Sequence, residues 1–584
     1  MGKCLAVIVA LSSVFSGLVF ASQRPESKPV EELSSFVSSY EQWIDPKNQF
    51  VDYFTVGGET QARVVFIGSS AFSQDGQGKR PTVSEGMGYG LLLSYAYDDQ
   101  TTFDQFLRYI LSISNNYGCS AYGSNTCYAT APFMMPWIVN ESGKPFLFEP
   151  SQGAQAYYSN GSATDADIQI AWAVYLAALK VKANAWKPST FATVSGNLTY
   201  QDIFKEMALE IRLNDVDMTN LRYVPGNQWA AAGLQVLYPG YFTPQAFAAL
   251  DTLPPPDVSS QCPNLPVHQP INSLNLIFKN NVYKSVSIDY LGGNGSVKVD
   301  NKFIPKPGVP NGYTVAALTT ATAVFSSDNP YYANATIQAT FYDETGQPTM
   351  KSNYYIEYNH SVWTVSDKGS TKESSYCQSS DGNVVFVCLT APDINKVSYS
   401  FSTVMANSLK AIGSFQMQYK TGLMPNVLHY DGSGYDQWSE CFAYDACRFP
   451  LWASYFLQTN PKDPLAPSLT SVLDNLMGNQ GVAPFVKQGT LPSGGVDAIK
   501  QTAVGSWGTL SPALNAPILA AASFTKNQLL YNELSAGVFQ YDITQNQPSA
   551  MDPSGDSSPY FNAVMVLMSR AMMENRLVVL PNLQ

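Results

Sequence analysis

The pattern of apolar and polar positions divides the chain into two kinds of sequence. Up to residue 252, and again from about residue 396, apolar residues recur at helical spacing, for example at Phe103, Phe106, Leu107, Ile110 and Leu111. Several of these segments are apolar almost all round, which is typical of buried helices. Long loops separate them, so the pattern favours stacked helical hairpins over alternating strands and helices.

The strongest helical patterns are spread over both parts of the chain. They predict helices over residues 30–44, 91–96, 103–111, 168–179, 200–213, 404–415, 518–522 and 561–573. Residues 62–80 are expected to be strand or loop. Thr164 or Asp165 is the expected N-cap of the helix that follows, because both residue types are preferred at that position.

The sequence between the two helical parts has the pattern of a β domain. Three prolines, Pro254 to Pro256, end any helix there. From about residue 274 to 390, short alternating runs are divided by Gly, Asn, Asp and Pro. The runs 285–290, 295–299, 335–341, 354–358 and 384–387 predict the strands of a small sandwich.

The first residues have the pattern of an export signal. Lys3 precedes a largely apolar run over residues 5–20, and Val19-Phe20-Ala21 fits a small-residue cleavage site. An N-terminal anchor that is not cleaved is the alternative. No later stretch reaches about 18 uninterrupted apolar residues, so no membrane span is predicted. We expect a signal peptide over 1–21, a helical domain over 22–252 and 396–584, an inserted β-rich domain over 253–395, and a secreted or periplasmic protein.

The cysteines are compatible with an exported protein. Cys4 lies in the predicted signal peptide, and the others are Cys119, Cys127, Cys262, Cys377, Cys388, Cys441 and Cys447. The pairs Cys119/Cys127 and Cys377/Cys388 are close enough in sequence to bridge local loops. The seven cysteines after the predicted signal peptide are an odd number, so at least one thiol stays free unless it pairs between chains. The sequence does not fix which cysteines pair.

Composition excludes some functions. The chain has 584 residues and a formal net charge of −12. This charge argues against nucleic acid as a partner, because phosphate binding needs clustered Lys and Arg. The three histidines, His268, His360 and His429, are scattered, so no His-rich zinc site is visible and neither a metal nor a cofactor is expected.

Three acidic residues each precede an apolar helical segment. Glu85 lies among glycines in Ser84-Glu85-Gly86-Met87-Gly88-Tyr89-Gly90, Asp165 begins a buried helix, and Asp445 lies ahead of another. If the helices are hairpins of one toroid, all three acids can meet at one open end. Each also has a structural interpretation. Glu85 can favour the helix dipole, Asp165 can be a plain N-cap, and Asp445 can pair with Arg448 three residues on.

Together these segments resemble three signature blocks of glycoside hydrolase family 8. The blocks are Ser84 to Gly90, Ala163-Thr164-Asp165-Ala166-Asp167, and Tyr444-Asp445-Ala446-Cys447-Arg448. Weaker matches lie in the same order, at Trp137, Trp229, Pro239-Gly240-Tyr241-Phe242, Gly422-Leu423-Met424-Pro425 and Tyr560-Phe561-Asn562. The resemblance covers roughly residues 30–250 and 396–580. Met87 departs from it, since many members carry Gln there, and the β insertion is not part of the pattern.

The resemblance implies a toroid of six helical hairpins that cleaves β-1,4-linked glycans internally, with inversion. Carried over by position, Glu85 would be the general acid and Asp445 the general base, while Asp165 would bind and help to distort the sugar at the cleavage point. Tyr444 and Arg448 would position Asp445 and its water. The residues expected to bind substrate are Trp137, Trp229, Tyr444, Arg448, Tyr89 and Tyr241.

The resulting expectation is a secreted endo-β-1,4-glucanase whose partner is a polysaccharide. Chitosan, xylan and mixed-linkage glucan are the alternative substrates within the same family. A carbohydrate-binding or adhesion protein without turnover, and a hydrolase that trims polysaccharide during its export, are the alternatives in function. The inserted β domain could extend the cleft, bind polymer or cover a face of the toroid, and the oligomeric state is left open.

Overall fold

The computed structural model describes most of both helical parts and the strands between them. The described residues are 39–66, 80–117, 128–148, 157–217, 220–227, 235–253, 399–435, 440–492, 494–504, 512–543, 559–577 and, between residues 273 and 386, those of the strands named below. The predicted helix over 30–44 is helical over 39–44, and its earlier residues lie outside this set. The predicted signal peptide also lies outside it.

Eleven α-helices have described bounds. In chain order they are α1 (Ser84–Ala96), α2 (Gln100–Ser114), α3 (Thr164–Lys182), α4 (Tyr200–Asn214), α5 (Pro244–Leu250), α6 (Phe401–Tyr419), α7 (Arg448–Thr459), α8 (Ala466–Met477), α9 (Pro512–Thr525), α10 (Gln528–Phe539) and α11 (Pro559–Met573).

The odd-numbered helices form a closed ring. Helix α1 packs on α3, α3 on α5, α5 on α7, α7 on α9, α9 on α11, and α11 returns to α1. The even-numbered helices α2, α4, α6, α8 and α10 each pack against the inner helix that precedes or follows them. Helical residues 39–44 complete the outer layer beside α11, where Arg570 donates to Ser39 at 3.2 Å. The expected (α/α)6 barrel is therefore confirmed.

The sequence explains which helices are inside. Every residue of α1 except Glu85 is buried, and α9 is buried from Pro512 to Ala522. Such helices have no polar face and must be surrounded by protein. Outer helices carry a solvent-facing side, and α2, α4, α6 and α10 also have a side-chain N-cap. In α2, Asp99 accepts a hydrogen bond from the amide of Thr102.

Inner helices α1, α3, α5 and α7 begin without a side-chain cap. The N-cap of α3 is Ala163, so the expectation that Thr164 or Asp165 caps this helix is wrong. Both residues lie inside the first helical turn, as does Glu85 in α1. Because these acidic side chains do not close their own helices, they remain available at the end of the ring.

Short strands connect the helices. Before the insertion they are β1 (Val51–Val56), β2 (Glu59–Val64), β3 (Thr82–Val83), β4 (Ile138–Val139), β5 (Leu147–Phe148), β6 (Tyr157–Tyr158), β7 (Thr190–Thr193), β8 (Gly196–Thr199), β9 (Val216–Asp217), β10 (Arg222–Tyr223) and β11 (Val236–Leu237). The hairpin of β1 and β2 was not predicted.

Between α5 and α6 the described residues are strands, as expected for the inserted domain. They are β12 (Ser273–Asn280), β13 (Ser285–Gly293), β14 (Ser296–Val299), β15 (Ile304–Pro305), β16 (Gly312–Ala316), β17 (Thr320–Ser326), β18 (Tyr332–Tyr342), β19 (Pro348–Asn359), β20 (Val362–Asp367), β21 (Ser379–Ser380) and β22 (Val384–Phe386). They form a five-stranded sheet, β14-β17-β12-β22-β21, and a six-stranded sheet, β15-β16-β13-β18-β19-β20. The pairings within both sheets are antiparallel.

The helical part is continuous across the insertion. The last strands are β23 (Leu428–His429), β24 (Cys441–Phe442), β25 (Val496–Asp497) and β26 (Thr502–Ala503). Strand β11, before the insertion, pairs with β23, after it. In the described part of the chain, no helix is both long enough and apolar enough to cross a membrane.

The expected disulfides are not tested by the described residues. Cys441 and Cys447 are free thiols. The other cysteines, including the two pairs proposed to bridge local loops, lie outside the described residues.

Candidate active site

Acidic side chains at the starts of three inner helices meet at one end of the ring. Glu85 is the second residue of α1, Asp165 is the second residue of α3, and Asp445 lies three residues before the start of α7. Strand β24 leads directly into the turn that carries Asp445. The three acids are far apart in sequence, and in the structure they lie together, as the helical pattern led us to expect.

Arg448, the first residue of α7, joins the three carboxylates. Its Nη1 lies 2.6 Å from Oε2 of Glu85 and 2.7 Å from Oδ2 of Asp165. Its Nη2 lies 2.7 Å from Oδ1 of Asp445. We call these four residues the carboxylate cluster. Arg448 is thus more than the local partner of Asp445 that its spacing suggests, because one guanidinium contacts acids from α1, from α3 and from the turn before α7.

Exposure differs among the acids. The side chain of Asp165 is 1% exposed and that of Arg448 also 1%, whereas Glu85 is 21% and Asp445 39% exposed. The cluster therefore has a buried floor, formed by Asp165 and Arg448, and two acids that reach solvent. A molecule approaching the open end would meet Glu85 and Asp445 first.

Burial raises the pKa of Glu85 to about 7. Arg448 opposes this shift, and the negative charges of Asp165 and Asp445 reinforce it. Burial likewise raises the pKa of Asp165, again against the effect of Arg448. An acid whose pKa lies near 7 can hold a proton at neutral pH and release it to a reacting group.

The loop before α5 closes against Asp445. A short 3-10 helix, Pro239–Tyr241, places Gly240 on the backbone of Asp445, where a Cβ atom at position 240 would lie 1.7 Å from the carbonyl oxygen. No other residue fits at this contact. The ring of Tyr241 lies against Arg448, with its centroid 5.2 Å from Cζ. Tyr241 is therefore beside the cluster, and its role in binding substrate stays a prediction.

Two predicted aromatic contacts, Trp137 and Tyr444, lie on segments next to residues of the cluster. The carbonyl of Trp137 accepts a hydrogen bond from the amide of Ser84 at 2.9 Å, which places Trp137 beside the start of α1. Its ring is stacked on Phe148, with centroids 5.3 Å apart. Tyr444, next to Asp445, packs edge-on against Phe561 at 5.9 Å. Both residues are partly exposed near the cluster.

Two predicted substrate contacts are placed differently. Tyr89 is fully buried and stacks on Trp452, with ring centroids 6.4 Å apart. Its ring offers no face to the open end, and we interpret it as a support beneath Arg448, with which it interacts electrostatically. Trp229 lies outside the described residues. Met87, where the family pattern often has Gln, is buried, and its sulfur accepts from the amide of Val64 at 3.4 Å.

Sequence reasoning gave no role to Tyr560. Its hydroxyl lies 3.3 Å from Oε1 of Glu85, the carboxylate oxygen that does not contact Arg448. Tyr560 is the second residue of α11, the same position that Glu85 occupies in α1. A polar side chain at the start of an apolar helix was therefore the feature of the sequence that could have identified Tyr560 as a site residue.

A second acidic group is buried near the start of α3. Asp167, in the first turn of α3, and Asp215, just after α4, are both buried and interact with each other; we call them the buried acid pair. Burial raises the pKa of Asp167 to about 8. Burial also raises the pKa of Asp215 far above its ordinary value, and the neighbouring Asp167 adds to this effect.

The fold and the cluster define a class of protein. A closed ring of paired helices with acids at the N-termini of its inner helices is an (α/α)6 barrel with a carboxylate-lined open end. The sequence model of the glycosyl hydrolases family 8 matches residues 52–253 of this chain. The matched segment contains Glu85 and Asp165. It ends before Asp445, Arg448 and Tyr560, which the fold brings to the same place.

Curated relatives match about a third of the chain. Endoglucanase A of Acetivibrio thermocellus is 28% identical over 203 residues, which is 35% of this chain and 33% of the relative. Endoglucanase C of Ruminiclostridium cellulolyticum is 29% identical over 177 residues, 30% of either chain. The chain thus spans about a third of the length of these relatives. Among solved structures, a cold-adapted family 8 xylanase aligns over 94% of this chain and 92% of its own, with 10% identity and a TM-score of 0.47.

Proposed function

We propose that this protein is an inverting endo-glycoside hydrolase that cleaves β-1,4-linked glycans. The observation that carries the proposal is the carboxylate cluster, in which one buried guanidinium contacts Glu85, Asp165 and Asp445. Inverting hydrolysis needs a protonated acid and an ionised base on opposite sides of the scissile bond. The cluster supplies both kinds of group.

Glu85 is the proposed general acid. Its pKa of about 7 lets it carry a proton at neutral pH. Proton transfer from Glu85 to the glycosidic oxygen allows the bond from the anomeric carbon to that oxygen to break, with the electron pair staying on the leaving oxygen. The partial exposure of Glu85 leaves it accessible to a polymer chain.

Asp445 is the proposed general base. It is the most exposed acid of the cluster, so a water molecule can reach it. This water attacks the anomeric carbon from the face opposite the leaving oxygen and gives its proton to Asp445. Carboxyl groups of inverting enzymes are about 6.5–9.5 Å apart. Glu85 and Asp445 contact different nitrogens of one guanidinium, so the two carboxyl groups face the same site.

Asp165 is proposed to bind the sugar at the cleavage point. It is buried beneath the two reacting acids, and its negative charge raises the pKa of Glu85. Asp165 therefore has a second effect, which is to help Glu85 keep its proton until substrate is bound. Trp137, Tyr444 and Tyr241 are the proposed sugar contacts around it, since partly exposed aromatic rings suit the flat faces of sugars.

An endo-β-1,4-glucanase is the proposed specificity, with chitosan, xylan and mixed-linkage glucan as rival substrates. The support is that two relatives, each similar to this chain over about a third of its length, are endoglucanases. The mechanism requires only the two carboxyl groups and water, without a cofactor. We also propose that the protein is exported, on the basis of its first 21 residues.

A substrate panel tests the activity. Release of reducing ends is measured on carboxymethyl cellulose, mixed-linkage glucan, chitosan and xylan, with Glu85→Gln and Asp445→Asn as matched controls. We expect release on at least one polymer and a loss of about 10²- to 10⁴-fold in each variant, the usual contribution of a general acid or base. Binding of a polymer without release on any of the four would favour a carbohydrate-binding protein.

The stereochemistry is tested separately. A proton NMR time course on the preferred polymer should show the inverted anomer first, followed by mutarotation. If the retained anomer forms first, the assignment of Asp445 as a base acting through water is wrong, since retention needs a covalent intermediate.

A further inference from the structure

Each oxygen of Glu85 has its own partner. Oε2 lies 2.6 Å from Nη1 of Arg448, and Oε1 lies 3.3 Å from the hydroxyl of Tyr560. A guanidinium has only donors, so the oxygen that faces it does not carry the acid proton. The proton of Glu85 is thereby assigned to Oε1, the oxygen beside Tyr560.

The hydroxyl of Tyr560 is held by its surroundings. The side chain is 1% exposed, and its ring packs edge-on against Phe66 with centroids 5.5 Å apart. Gly86 is a further neighbour of this ring. A Cβ atom at position 86 would lie 3.0 Å from both Cε2 and the hydroxyl oxygen of Tyr560.

This contact explains why the first position after Glu85 in the segment Ser84 to Gly90 is a glycine. Any side chain at position 86 would push on the rigid phenol end of a buried ring, which has no free space to enter. Gly86 therefore lets an aromatic side chain from α11 reach the acid carried by the neighbouring residue of α1. The contact also joins the last inner helix to the first, at the point where the ring closes.

We propose that Tyr560 is a positioning residue for the acid: its hydroxyl, placed by contact with Gly86, orients Glu85 and stabilises the carboxylate that forms there. The inference rests on the proposed function of Glu85. When the proton leaves Oε1 for the glycosidic oxygen, negative charge develops on Oε1. The Tyr560 O–H then donates to an ionised acceptor, and such hydrogen bonds are stronger than those to neutral groups. Tyr560 keeps its own proton throughout.

The proposal predicts an effect on kcat without a matching effect on KM. A hydrogen bond that strengthens only as charge develops accelerates the chemical step without tightening substrate binding. Tyr560→Phe removes the hydroxyl and keeps the ring. We expect kcat to fall about 10- to 100-fold, the loss of one hydrogen bond to a charged group, with KM nearly unchanged.

The pH profile supplies a second readout. Donation from Tyr560 lowers the pKa of Glu85, so its loss should raise that pKa and move the alkaline limb of kcat/KM to higher pH. A merely structural role would not move this limb. Tyr455→Phe, which removes a buried hydroxyl from α7, is the matched control and should leave the profile unchanged.

Infrared titration makes the test independent of turnover. The carboxyl band absent in Glu85→Gln reports Glu85, and its midpoint should lie at higher pH in Tyr560→Phe than in the unaltered protein. If no polymer is cleaved, the proposed function fails, while this midpoint still decides whether Tyr560 acts on Glu85. Unaltered kcat together with an unaltered midpoint in folded Tyr560→Phe overturns the proposal.

Gly86→Ala tests whether the contact with Gly86 places the hydroxyl of Tyr560. It also provides a test of the proposal if Tyr560→Phe does not fold. We expect Gly86→Ala to lower kcat, and to do so less in the Tyr560→Phe background, because the two changes affect one contact. Gly90→Ala is the matched control in the same helix, where a Cβ would meet Val64 and Phe106 at 3.0–3.1 Å. It should lower stability and leave the midpoint unchanged. Equal effects of Gly86→Ala in both backgrounds would count against the proposed contact.

Discussion

The first turn of α3 carries two buried aspartates that belong to different environments. Asp165 contributes to the carboxylate cluster, where its Oδ2 lies 2.7 Å from Arg448. Asp167, two residues later, belongs to the buried acid pair and interacts with Asp215. Both side chains are 1% exposed. The same residue type, at the same depth and in the same helical turn, is thus stabilised in two different ways.

The difference lies in what balances the charge. In the carboxylate cluster a cation is shared among three acids, which favours their ionised forms. In the buried acid pair the partner of an acid is another acid, and two ionised carboxylates in contact would repel strongly. Burial therefore holds at least one proton on the pair, as the raised pKa values of Asp167 and Asp215 indicate. The first arrangement suits proton transfer, and the second suits a fixed structural link between α3 and the end of α4.

Removing the shared cation should have the largest effect. Arg448→Met leaves three carboxylates facing one another with no positive charge, and breaking a buried ion pair costs about 3–5 kcal/mol of stability. We expect a loss of that size in the free energy of unfolding, measured by urea denaturation, and no detectable turnover. The pKa of Glu85 should also rise, because Arg448 lowers it.

The matched control is Arg570→Met. Arg570 is equally buried, but it donates to the carbonyls of Val538 and Phe539 at 2.8 and 3.1 Å. This variant should lose stability and keep the pH dependence of turnover. Should Arg448→Met retain stability and activity, the cluster would not depend on its cation.

Replacing Asp165 or Asp167 by Asn compares the contributions of the two aspartates to turnover directly. Asp165→Asn should lower kcat about 10²-fold or more, as when an electrostatic contact to the reacting centre is lost. Asp167→Asn should change kcat little, because an amide oxygen can still accept a hydrogen bond from protonated Asp215. Steady-state kinetics on the best polymer measures both.

Asp167→Ala completes this comparison. It leaves Asp215 without its partner and should cost about 1–3 kcal/mol of stability, the penalty for an unsatisfied buried polar group. Equal losses of kcat in Asp165→Asn and Asp167→Asn would show that the two acids are not functionally distinct.

Much of this arrangement follows from local sequence. Helical periodicity and the β pattern after the proline run were sufficient to predict a helical domain with a β insertion, because both depend on neighbouring residues. Glu85, Asp165 and Asp445 were found because each precedes an apolar helix. The family resemblance then supplied their roles as expectations.

What the sequence missed depends on contacts between distant segments. Nothing near Arg448 indicates that it reaches Glu85 and Asp165 as well as Asp445. The contact of Gly240 with the backbone of Asp445 likewise appears only when α7 and the loop before α5 are packed. Tyr89 was predicted to bind substrate because it lies in the motif, but helical geometry turns it toward Trp452, away from the open end.

The pH dependence of turnover sharpens the comparison further. Glu85 must be protonated to act as the acid, so with a pKa of about 7 the alkaline limb of kcat/KM should begin near pH 7 and fall tenfold per pH unit above it. Asp165→Asn should move the limb to lower pH, because the charge of Asp165 raises the pKa of Glu85. Asp167→Asn should leave it in place. A limb near pH 5 in the unaltered protein would contradict the assignment of Glu85.

The last prediction concerns stability and isolates the buried acid pair. An unfolded aspartate has a pKa of about 3.9, whereas that of Asp167 in the folded protein is about 8. Between these values the folded state holds a proton that the unfolded state has lost. This contribution to stability is therefore complete below pH 4 and is lost as the pH rises toward 8, by about 1.4 kcal/mol per pH unit for one proton. Urea denaturation at pH 5 and pH 7.5 should show a shallower decline in Asp167→Asn than in the unaltered protein. Identical slopes would mean that Asp167 is ionised in the fold, and the two aspartates of this helical turn would then share one electrostatic environment after all.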